Sequence, residues 1–415
     1  MKVCIIGSGS QGTGLAGLLA MEPDVERLVI ADYSPVCLDT AKGLIDTLGD
    51  KVKVPKIETK QVDASNEDAV AEVIRGCDIV FHCIIPKFNI PIMKACIREK
   101  CHYLDLFAAP YAGNGIAEEE TIGAQMQLDQ EFKDAGRLAL PSVGMSPGWT
   151  SLAAQYMIEG LDSVDSVMIR WGDFVDTDVY MAPVSPYVLY HEWFGAPGPV
   201  RTVNGKCELV DLIGSEEEFT FPEPIGRRKI YTVTSHPDIV LIPQFAGKPI
   251  PLCEEKGGIF LGKMSMKDVW VKGIQEATAR QGDTKENSNM MEEFGRALTP
   301  PLAFGQLLKE GRIRNHAVCF SCEVQGKKDG GAVHHICYYT STLEEAQKHL
   351  PWASPAVYGT VGGMPIELVL ALGRGQIPQT GVWSVGNLGI TEQLNHGMAA
   401  RGQIITEKIE QTVGV

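Results

Sequence analysis

Short apolar runs alternate with helical patterns along the first third of the chain. Apolar runs rich in β-branched residues are typical of buried parallel strands, and leucines three or four residues apart are typical of helices. The pattern predicts strands at 2–6, 28–31, 56–62, 77–85, 102–106 and 137–143, and helices at 36–48, 67–74, 90–99 and 149–159. Another helix, with Leu15, Leu18 and Leu19 on one face, follows the first strand. This rhythm predicts an α/β fold with a doubly wound parallel sheet, a Rossmann dinucleotide-binding domain.

The pattern changes after Leu161. The segment 163–171 alternates between apolar and polar residues and is predicted to be a strand, and further strands are predicted at 201–203, 207–210, 229–233 and 239–242. Helices are predicted at 269–279, 301–308 and 366–372. The segments 317–324 and 333–340 are expected to form a hairpin with its turn at 328–331. The middle of the chain is therefore expected to be an α+β domain with a mixed, largely antiparallel sheet.

The first predicted strand runs directly into Gly7-Ser8-Gly9-Ser10-Gln11-Gly12. In such a G-x-G-x-x-G motif the first glycine makes a tight turn, the second admits a pyrophosphate close to the backbone, and the third lets the helix pack on the strand. The helix N-terminus adds free N–H groups and a positive dipole end. Asp32 ends the second strand twenty residues after Gly12, where a carboxylate binds the adenosine ribose. The motif therefore predicts a dinucleotide cofactor.

The carboxyl ends of parallel strands face the ligand crevice of such a sheet. Asp63 and Ala64 are expected near the adenine, although Asp63 is equally well placed to cap a helix. Residues 83–86 are expected near the nicotinamide ribose, and the segment 144–148 near the point of hydride transfer. The predicted cofactor-binding residues are Gly7, Gly9, Ser10, Gln11, Gly12, Asp32, Tyr33, Ser34, Asp63, Ala64, Cys83, Ile84, Ile85, Pro86, Gly144, Met145, Pro147 and Gly148.

The residues after the second strand indicate which cofactor is preferred. Asp32 can accept hydrogen bonds from both ribose hydroxyls of NAD, whereas the 2′-phosphate of NADP would face its negative charge. No cation occurs between Asp32 and Lys42. NAD is therefore predicted, and NADP is the alternative if Asp32 turns away and Tyr33 with Ser34 accepts the phosphate.

Composition narrows the range of partners. The 415 residues are 44% hydrophobic and 21% charged, and the formal net charge is −15 without a basic cluster. Neither nucleic acid nor an anionic membrane surface is therefore an expected partner. No apolar run reaches about 18 residues, so no transmembrane helix is predicted. No basic or cleavable apolar segment precedes the first strand, and a cytoplasmic protein is expected.

The 11 cysteines are scattered and odd in number, which favours reduced, buried thiols over a disulfide framework. Cys319 and Cys322 form a C-x-x-C, but they lie in a predicted strand and would face opposite sides. No second pair completes a zinc site, and no metal is predicted.

Several motifs together resemble the saccharopine dehydrogenase-like reductases, the group that includes saccharopine reductase, lysine 6-dehydrogenase and carboxynorspermidine dehydrogenase. They are GSGSQG at 7–12, CIIPKFN at 83–89, HYLDL at 102–106, GMSPGW at 144–149, the segment 221–243 and TVGGMPIELVLAL at 360–372. The resemblance implies a Rossmann domain of residues 1–150 and 350–395, with residues 151–349 inserted as a substrate-binding and dimerisation domain. It also implies a homodimer formed through the sheets of the inserted domain.

The reaction that the resemblance implies is hydride transfer between a nicotinamide and the carbon of a C–N bond, with an amino acid, an opine-like adduct or a polyamine as substrate. Such a site needs a proton donor or acceptor near the nitrogen. Asp105, His236 and Lys87 are the candidates. His82 is a further candidate, but its alternation inside an apolar strand favours a core position.

Charged groups of the substrate need oppositely charged or polar side chains to bind them. Arg201, Arg227 and Arg228 are candidates for a substrate carboxylate, although each is more typical of a surface arginine. The segment 191–193 could contact an amino group. The competing hypothesis is a dinucleotide-binding sensor or interaction protein that keeps the fold without turnover. The intact glycine motif and the segment 144–149 favour the enzyme.

Overall fold

The computed structural model describes residues 1–112, 116–186, 188–189, 198–233, 236–262, 264 and 298–412. Its strands are β1 (Lys2–Ile6), β2 (Arg27–Asp32), β3 (Lys56–Gln61), β4 (Ile79–His82), β5 (His102–Asp105), β6 (Leu138–Leu140), β7 (Ser163–Thr177), β8 (Val200–Val203), β9 (Lys206–Leu209), β10 (Glu217–Thr220), β11 (Arg227–Thr232), β12 (Leu252–Leu261), β13 (Ile313–Lys328), β14 (Gly331–Thr342), β15 (Gly381–Val382) and β16 (Thr406–Gln411).

The α-helices connect these strands. They are α1 (Ser10–Ala20), α2 (Pro35–Asp46), α3 (Glu67–Ile74), α4 (Asn89–Glu99), α5 (Ile122–Met126), α6 (Asp129–Asp134), α7 (Trp149–Glu159), α8 (Asp238–Phe245), α9 (Phe304–Lys309), α10 (Leu343–His349), α11 (Pro355–Val361), α12 (Met364–Gly373) and α13 (Thr391–Ala400). Single 3₁₀ turns lie at Gly49–Lys51, Pro86–Phe88, Glu118–Glu120, Pro301–Ala303 and Val385–Asn387.

The first sheet has seven parallel strands in the order β15-β6-β5-β4-β1-β2-β3. The order reverses direction on either side of β1, which is the arrangement of a doubly wound sheet. All six strands predicted in this region are present, and most differ from the prediction only at their ends. The predicted α/β fold with a Rossmann-like sheet is therefore confirmed.

The second sheet has nine strands and follows the order β10-β11-β12-β7-β13-β14-β16, with β8 pairing to β12 and β9 to β8. Only the pair of β12 with β7 is parallel among the pairs in this sheet. The hairpin of β13 and β14 turns through Asp329 and Gly330, whose φ angles are +50° and +76°. Two positive φ values are characteristic of a type I′ turn, so the predicted hairpin is confirmed.

One predicted strand is wrong. Residues 239–242 lie in the helix α8, not in a strand. Ile239, Leu241 and Ile242 are all buried there, so the helix is apolar on several sides and its hydrophobic pattern does not show a helical period. A short, fully buried helix and a buried strand cannot be distinguished by periodicity alone. The helix predicted at 269–279 lies outside the described residues.

The C-terminal helices return to the first sheet. Helix α11 packs against α1 and also against β13 and β14, and α12 contacts α1 and β4. A Cβ on Gly14 of α1 would lie 2.4 Å from a methyl of Val357, so the two helices approach closely. The segment Pro355–Gly373 is apolar enough to span a membrane by composition, but 83% of it is buried inside the protein. Its apolarity is therefore explained by packing in the core.

Candidate active site

The glycine-rich turn after β1 brings its backbone segments into close contact. Gly7 has a φ of +101°, and a Cβ on Gly12 would lie 1.8 Å from the Gly7 carbonyl oxygen. A Cβ on Gly9 would meet nothing within 4 Å, so the space before α1 is open. The Ser8 hydroxyl and the Gln11 side-chain carbonyl are buried in this region, and neither has a hydrogen-bond partner among the residues that the structure describes. The turn therefore fits a dinucleotide pyrophosphate, which needs close backbone approach and free polar groups.

Asp32 is held in place by two backbone amides. Its carboxylate accepts hydrogen bonds from the Ser8 N–H at 2.6 Å and from the Ser34 N–H at 2.8 Å. The Ser34 hydroxyl in turn accepts from the Cys37 N–H and caps α2. A carboxylate oxygen has two lone pairs, so each Asp32 oxygen can accept a further hydrogen bond from a ribose hydroxyl. The orientation of Asp32 therefore suits the predicted ribose contact.

A crevice of about 590 Å³ lies where the two sheets meet. Twelve of the predicted cofactor residues line it: Gly7, Gly9, Ser10, Gln11, Asp32, Tyr33, Asp63, Ala64, Cys83, Ile84, Ile85 and Pro147. The other six, Gly12, Ser34, Pro86, Gly144, Met145 and Gly148, do not line it. Asp63 accepts hydrogen bonds from the backbone and hydroxyl of Ser65, while Asn66 caps α3, so Asp63 is not that helix cap.

The opposite wall comes from the second sheet. Trp171 and Asp173 of β7, Ile259 of β12, and Val318 and Phe320 of β13 line the crevice. They share one face because residues two apart on a strand point to the same side. A Cβ on Gly257 would lie 2.0 Å from the Trp171 indole, so only a glycine lets the ring lie over that strand.

His236 also lines the crevice, and its ring stacks on Trp171 with centroids 5.9 Å apart. Its Nδ1 forms a short hydrogen bond with Oε1 of Glu255. Glu255 is 1% exposed and accepts a second hydrogen bond from the Ser146 hydroxyl at 2.7 Å. A histidine oriented by a buried carboxylate is an arrangement that suits general acid–base catalysis.

A second carboxylate lies behind Glu255. Asp238 is fully buried and accepts hydrogen bonds from the hydroxyls of Thr150, at 3.0 Å, and Ser151. Burial, together with the charge of Glu255, raises the pKa of Asp238 to about 7. These contacts tie α8 to α7 beneath the crevice.

A second histidine–carboxylate pair was not found from the sequence. Asp173 Oδ1 lies 2.8 Å from Nε2 of His316, which is fully buried. The His316 Nδ1 has no hydrogen-bond partner in the part of the chain that the structure describes. Because Asp173 lines the crevice, the pair presents a carboxylate to a bound substrate. The one available signal was an acidic residue just beyond the predicted strand 163–171, two positions after Trp171, where continued alternation would place it on the same side.

Asp105 lies below the crevice and does not line it. Its carboxylate accepts hydrogen bonds from the Tyr103 hydroxyl, the Gln125 amide and the backbone N–H groups of Phe107 and Ser142. Burial raises its pKa to about 6, against the opposing effect of these four donors. Its position suits a structural connection between β5, β6 and α5 better than contact with a substrate.

The remaining proton candidates lie elsewhere. Lys87 is exposed, and its ammonium lies 6.0 Å from the Phe88 ring centre. His82 is buried, and its ring contacts Asn89 at 2.8 Å and accepts a hydrogen bond from the Ile84 N–H. Burial lowers the pKa of His82 to about 4. His82 is thus a neutral core histidine, the position that its alternation favoured.

The arginines suggested as carboxylate anchors do not line the crevice. Arg201 lies 4.0 Å from Glu208, and Arg227 pairs with Glu218 at 2.5 Å. The guanidinium of Arg228 lies over the rings of Phe174 and Phe260, 5.2 and 5.3 Å from their centres. No lysine or arginine lines the crevice within the part of the chain that the structure describes. The segment 191–193 lies outside that part.

Comparisons with known proteins agree with this architecture. Residues 3–140 match the family model of the saccharopine dehydrogenase NADP binding domain. Carboxynorspermidine synthase of Vibrio cholerae is 26% identical over 95% of this chain and 92% of its own length. Carboxyaminopropylagmatine dehydrogenase of Synechocystis is 24% identical over 92% of both chains.

Solved structures show the same fold. Saccharopine dehydrogenase (L-Glu forming) of Saccharomyces cerevisiae has a TM-score of 0.67 at 14% identity, and the match covers 99% of both chains. The homospermidine synthase of Legionella pneumophila, solved in complex with NAD, has a TM-score of 0.63 at 12% identity over 99% of this chain and 91% of its own.

The fold and the crevice thus define a dinucleotide-dependent oxidoreductase. The chain is similar along most of its length to enzymes of the saccharopine dehydrogenase type, as its motifs predicted, and residues 3–140 match the NADP-binding domain model of that family. The comparisons support this function and not the alternative of a non-catalytic sensor.

Proposed function

We propose that the enzyme transfers hydride to or from the carbon of a C–N bond in a polyamine-like substrate that carries several amino groups. The observation that carries this proposal is the charge of the crevice. Asp173 lines it, Glu255 lies directly behind His236, and no described lysine or arginine reaches it. Such a wall attracts ammonium groups and opposes a substrate dominated by carboxylates. The two relatives are named for carboxynorspermidine and carboxyaminopropylagmatine, which are carboxyalkyl derivatives of a polyamine and of agmatine, and these names agree with the proposal.

Asp173 is the proposed anchor for a substrate ammonium group. His316 holds its Oδ1, which leaves Oδ2 to accept a hydrogen bond from the crevice. Trp171 and Phe320 line the wall on the same face, and aromatic faces attract cations by about 0.5–2 kcal/mol. An extended, multiply charged amine would therefore find a carboxylate beside an aromatic surface.

His236 is the proposed proton donor and acceptor. The bound nicotinamide would supply or accept the hydride, which is chemistry of the cofactor itself. In the direction of oxidation, the substrate nitrogen must lose a proton before its carbon can give up hydride, and in the direction of reduction an imine nitrogen must be protonated. Glu255 orients the imidazole and stabilises its charged form, which suits a group that exchanges a proton at the substrate nitrogen.

In this proposal Asp105 positions neighbouring elements and is not the proton donor or acceptor for which it was a candidate. Four groups donate hydrogen bonds to the Asp105 carboxylate. Replacement with Asn would disturb them, because the NH₂ group of Asn is itself a donor and would face other donors. Asp105→Asn should therefore lower the free energy of unfolding by about 1–3 kcal/mol. Turnover per folded molecule should stay within a few-fold of wild type.

Steady-state kinetics with NAD⁺ and NADP⁺ test the proposal. Carboxynorspermidine, carboxyaminopropylagmatine and saccharopine form the substrate panel. We expect Asp173→Asn to raise KM for the preferred amine by at least about tenfold, because a charged hydrogen bond contributes about 1.5–3 kcal/mol. His236→Asn should lower kcat by about 100-fold or more.

The control variant is Asp176→Asn, on the same strand but paired with Arg314 on the other face. It should leave KM and kcat unchanged. Preference for saccharopine, or equal KM values in the Asp173 and Asp176 variants, would contradict the proposed substrate class.

We further propose a homodimer through the face of the second sheet that points away from the crevice. This face carries half-buried Met168, Arg170, Phe174 and Tyr338, and a mixture of aromatic and charged groups is typical of interfaces. Light scattering should give twice the chain mass of 45.1 kDa. A monomer at micromolar concentration would contradict the proposal.

A further inference from the structure

Three potential metal ligands meet at the far end of the second sheet, outside the crevice. His335 and Cys337 are two residues apart on β14, so they face the same side of the strand. Glu407 of β16 lies directly opposite Cys337 in the strand register. One nitrogen, one sulfur and one oxygen atom from these residues lie within 4.8 Å of one another.

The cluster is shielded from solvent on one side. His335 and Cys337 are buried, while the Glu407 side chain is 39% exposed. The His335 Nε2 contacts Glu407 at 2.6 Å, and the Tyr156 ring meets the imidazole edge-on with centroids 6.0 Å apart.

The cluster opens into a second cavity of about 260 Å³, which Cys337, Glu407 and Asn395 line. The side-chain carbonyl of Asn395 is buried there without a hydrogen-bond partner among the described residues.

We propose that His335, Cys337 and Glu407 bind one thiophilic divalent cation of the Zn²⁺ type, with a fourth position open to this cavity. A set of one thiolate, one imidazole and one carboxylate suits Zn²⁺ and is poor for Mg²⁺ or Ca²⁺, which take oxygen ligands. Metal–ligand distances of about 2.0–2.3 Å place tetrahedral ligand atoms about 3.3–3.7 Å apart. The His335 and Glu407 atoms, now 2.6 Å apart, would separate slightly on binding, and the three ligand atoms already lie within 4.8 Å of one another, within reach of side-chain rotation. Binding exchanges the hydrogen bond of His335 with Glu407 for two metal bonds.

The open position can hold water or the Asn395 carbonyl. Both lie on the cavity side, where the coordination sphere is incomplete. Catalytic zinc sites keep one such position free, whereas structural sites are closed by four protein ligands.

This site is independent of the proposed reaction, because no residue of its cavity lines the crevice. Its expected effect is on stability. The ligands join β16, the last strand of the described chain, to β14. A bound ion would therefore hold this terminal strand against the sheet.

Titration of the chelator-treated, full-length protein with Co²⁺ tests the proposal, since a cobalt–thiolate bond gives an intense near-ultraviolet charge-transfer band. We expect one such band at one Co²⁺ per chain, displaced by Zn²⁺, and a Zn²⁺-dependent rise in Tm. Cys337→Ser should abolish the band and weaken Zn²⁺ binding by at least about tenfold. Cys207→Ser, which removes an exposed thiol on β9, should change neither the band nor Zn²⁺ binding.

His335→Gln provides a second variant should Cys337→Ser fail to fold, and it should weaken Zn²⁺ binding similarly. Absence of a charge-transfer band in the wild type would overturn the proposal. So would a band that survives in Cys337→Ser, or an equal Zn²⁺ effect on Tm in every variant.

Discussion

Two histidine–carboxylate pairs differ in which partner reaches the crevice. In the pair of His236 with Glu255 the histidine lines the crevice and the carboxylate lies behind it. In the pair of Asp173 with His316 the order is reversed. The first arrangement suits proton exchange and the second suits binding of a cation, although each pair consists of one imidazole and one carboxylate. Burial and position, rather than residue type, therefore decide what each group can do.

Cofactor preference is a prediction that depends on Asp32. Its carboxylate faces the glycine-rich turn, and the crevice has no described cation to offset a 2′-phosphate. Repulsion between the two anions is a few kcal/mol at an effective dielectric of about 20. We expect NADH to bind at least about tenfold more tightly than NADPH, which requires only about 1.4 kcal/mol.

Dissociation constants measured side by side at one ionic strength check this preference. Asp32→Asn should reduce it, whereas Asp39→Asn, with the same charge change in the exposed part of α2, should not. Equal or tighter NADPH binding by the wild type would show that Asp32 does not hold the ribose.

His82 stabilises the fold less in mild acid because it folds in its neutral form. Its Nδ1 accepts the Ile84 N–H, which a protonated ring cannot do. The pKa is lowered from 6.5 to about 4, so the unfolded chain binds the proton first. The free energy of unfolding should therefore decrease by about 3 kcal/mol between pH 6.5 and 4 on account of this residue.

Urea unfolding across this pH range measures the effect. In His82→Gln, the pH dependence of the free energy of unfolding should weaken by the amount that uptake of about one proton contributes. His396→Gln, at an exposed position, should keep the wild-type pH dependence. The raised pKa values of Asp105 and Asp238 give slopes of the opposite sign, but both carboxyls are present in all three proteins. An unchanged slope in His82→Gln would contradict the assignment.

At the scale of single elements, most of the fold could be predicted because its signals are local. The six parallel strands, the hairpin at Asp329 and the turn at Gly7 each follow from a few neighbouring residues. The error at 239–242 arose because α8 is short and buried on several sides. Such an element takes its shape from tertiary packing, which a local pattern does not contain.

Two glycines of the turn should respond differently to the same substitution. Gly12→Ala would place a methyl 1.8 Å from the Gly7 carbonyl oxygen and should lower the free energy of unfolding by about 3 kcal/mol. Gly9→Ala has open space and an ordinary φ of −67°, so stability should change by less than about 1 kcal/mol.

The same Gly9→Ala variant should lose cofactor affinity by at least about tenfold, because its methyl would occupy the space predicted for the pyrophosphate. Calorimetric titration with NADH and chemical unfolding separate the two effects. Full NADH affinity in Gly9→Ala would contradict the proposed position of the pyrophosphate.

At the scale of the whole molecule, the substrate half of the crevice could not be predicted in detail. Asp173, His236 and His316 come from β7, the segment before α8 and β13, and they meet only when the second sheet forms. The resemblance to reductases suggested His236 but gave no reason to choose Asp173. Asp105 was favoured because it ends a strand at the correct edge, but its side chain turns into the core. The cluster at Cys337 was missed because Glu407 is distant in sequence and meets His335 and Cys337 only through strand pairing.

Transfer of deuterium from a labelled cofactor tests the central claim most directly. The enzyme should be incubated with NADH or NADPH deuterated at the transferring position of C4, and with an imine formed from an amine and an aldehyde related to the carboxyalkyl polyamines. We predict that mass spectrometry will find one deuterium on the carbon bonded to nitrogen in the product, and that His236→Asn will lose most of this product. Tight cofactor binding without deuterium in any product would contradict the account and favour a non-catalytic dinucleotide-binding protein.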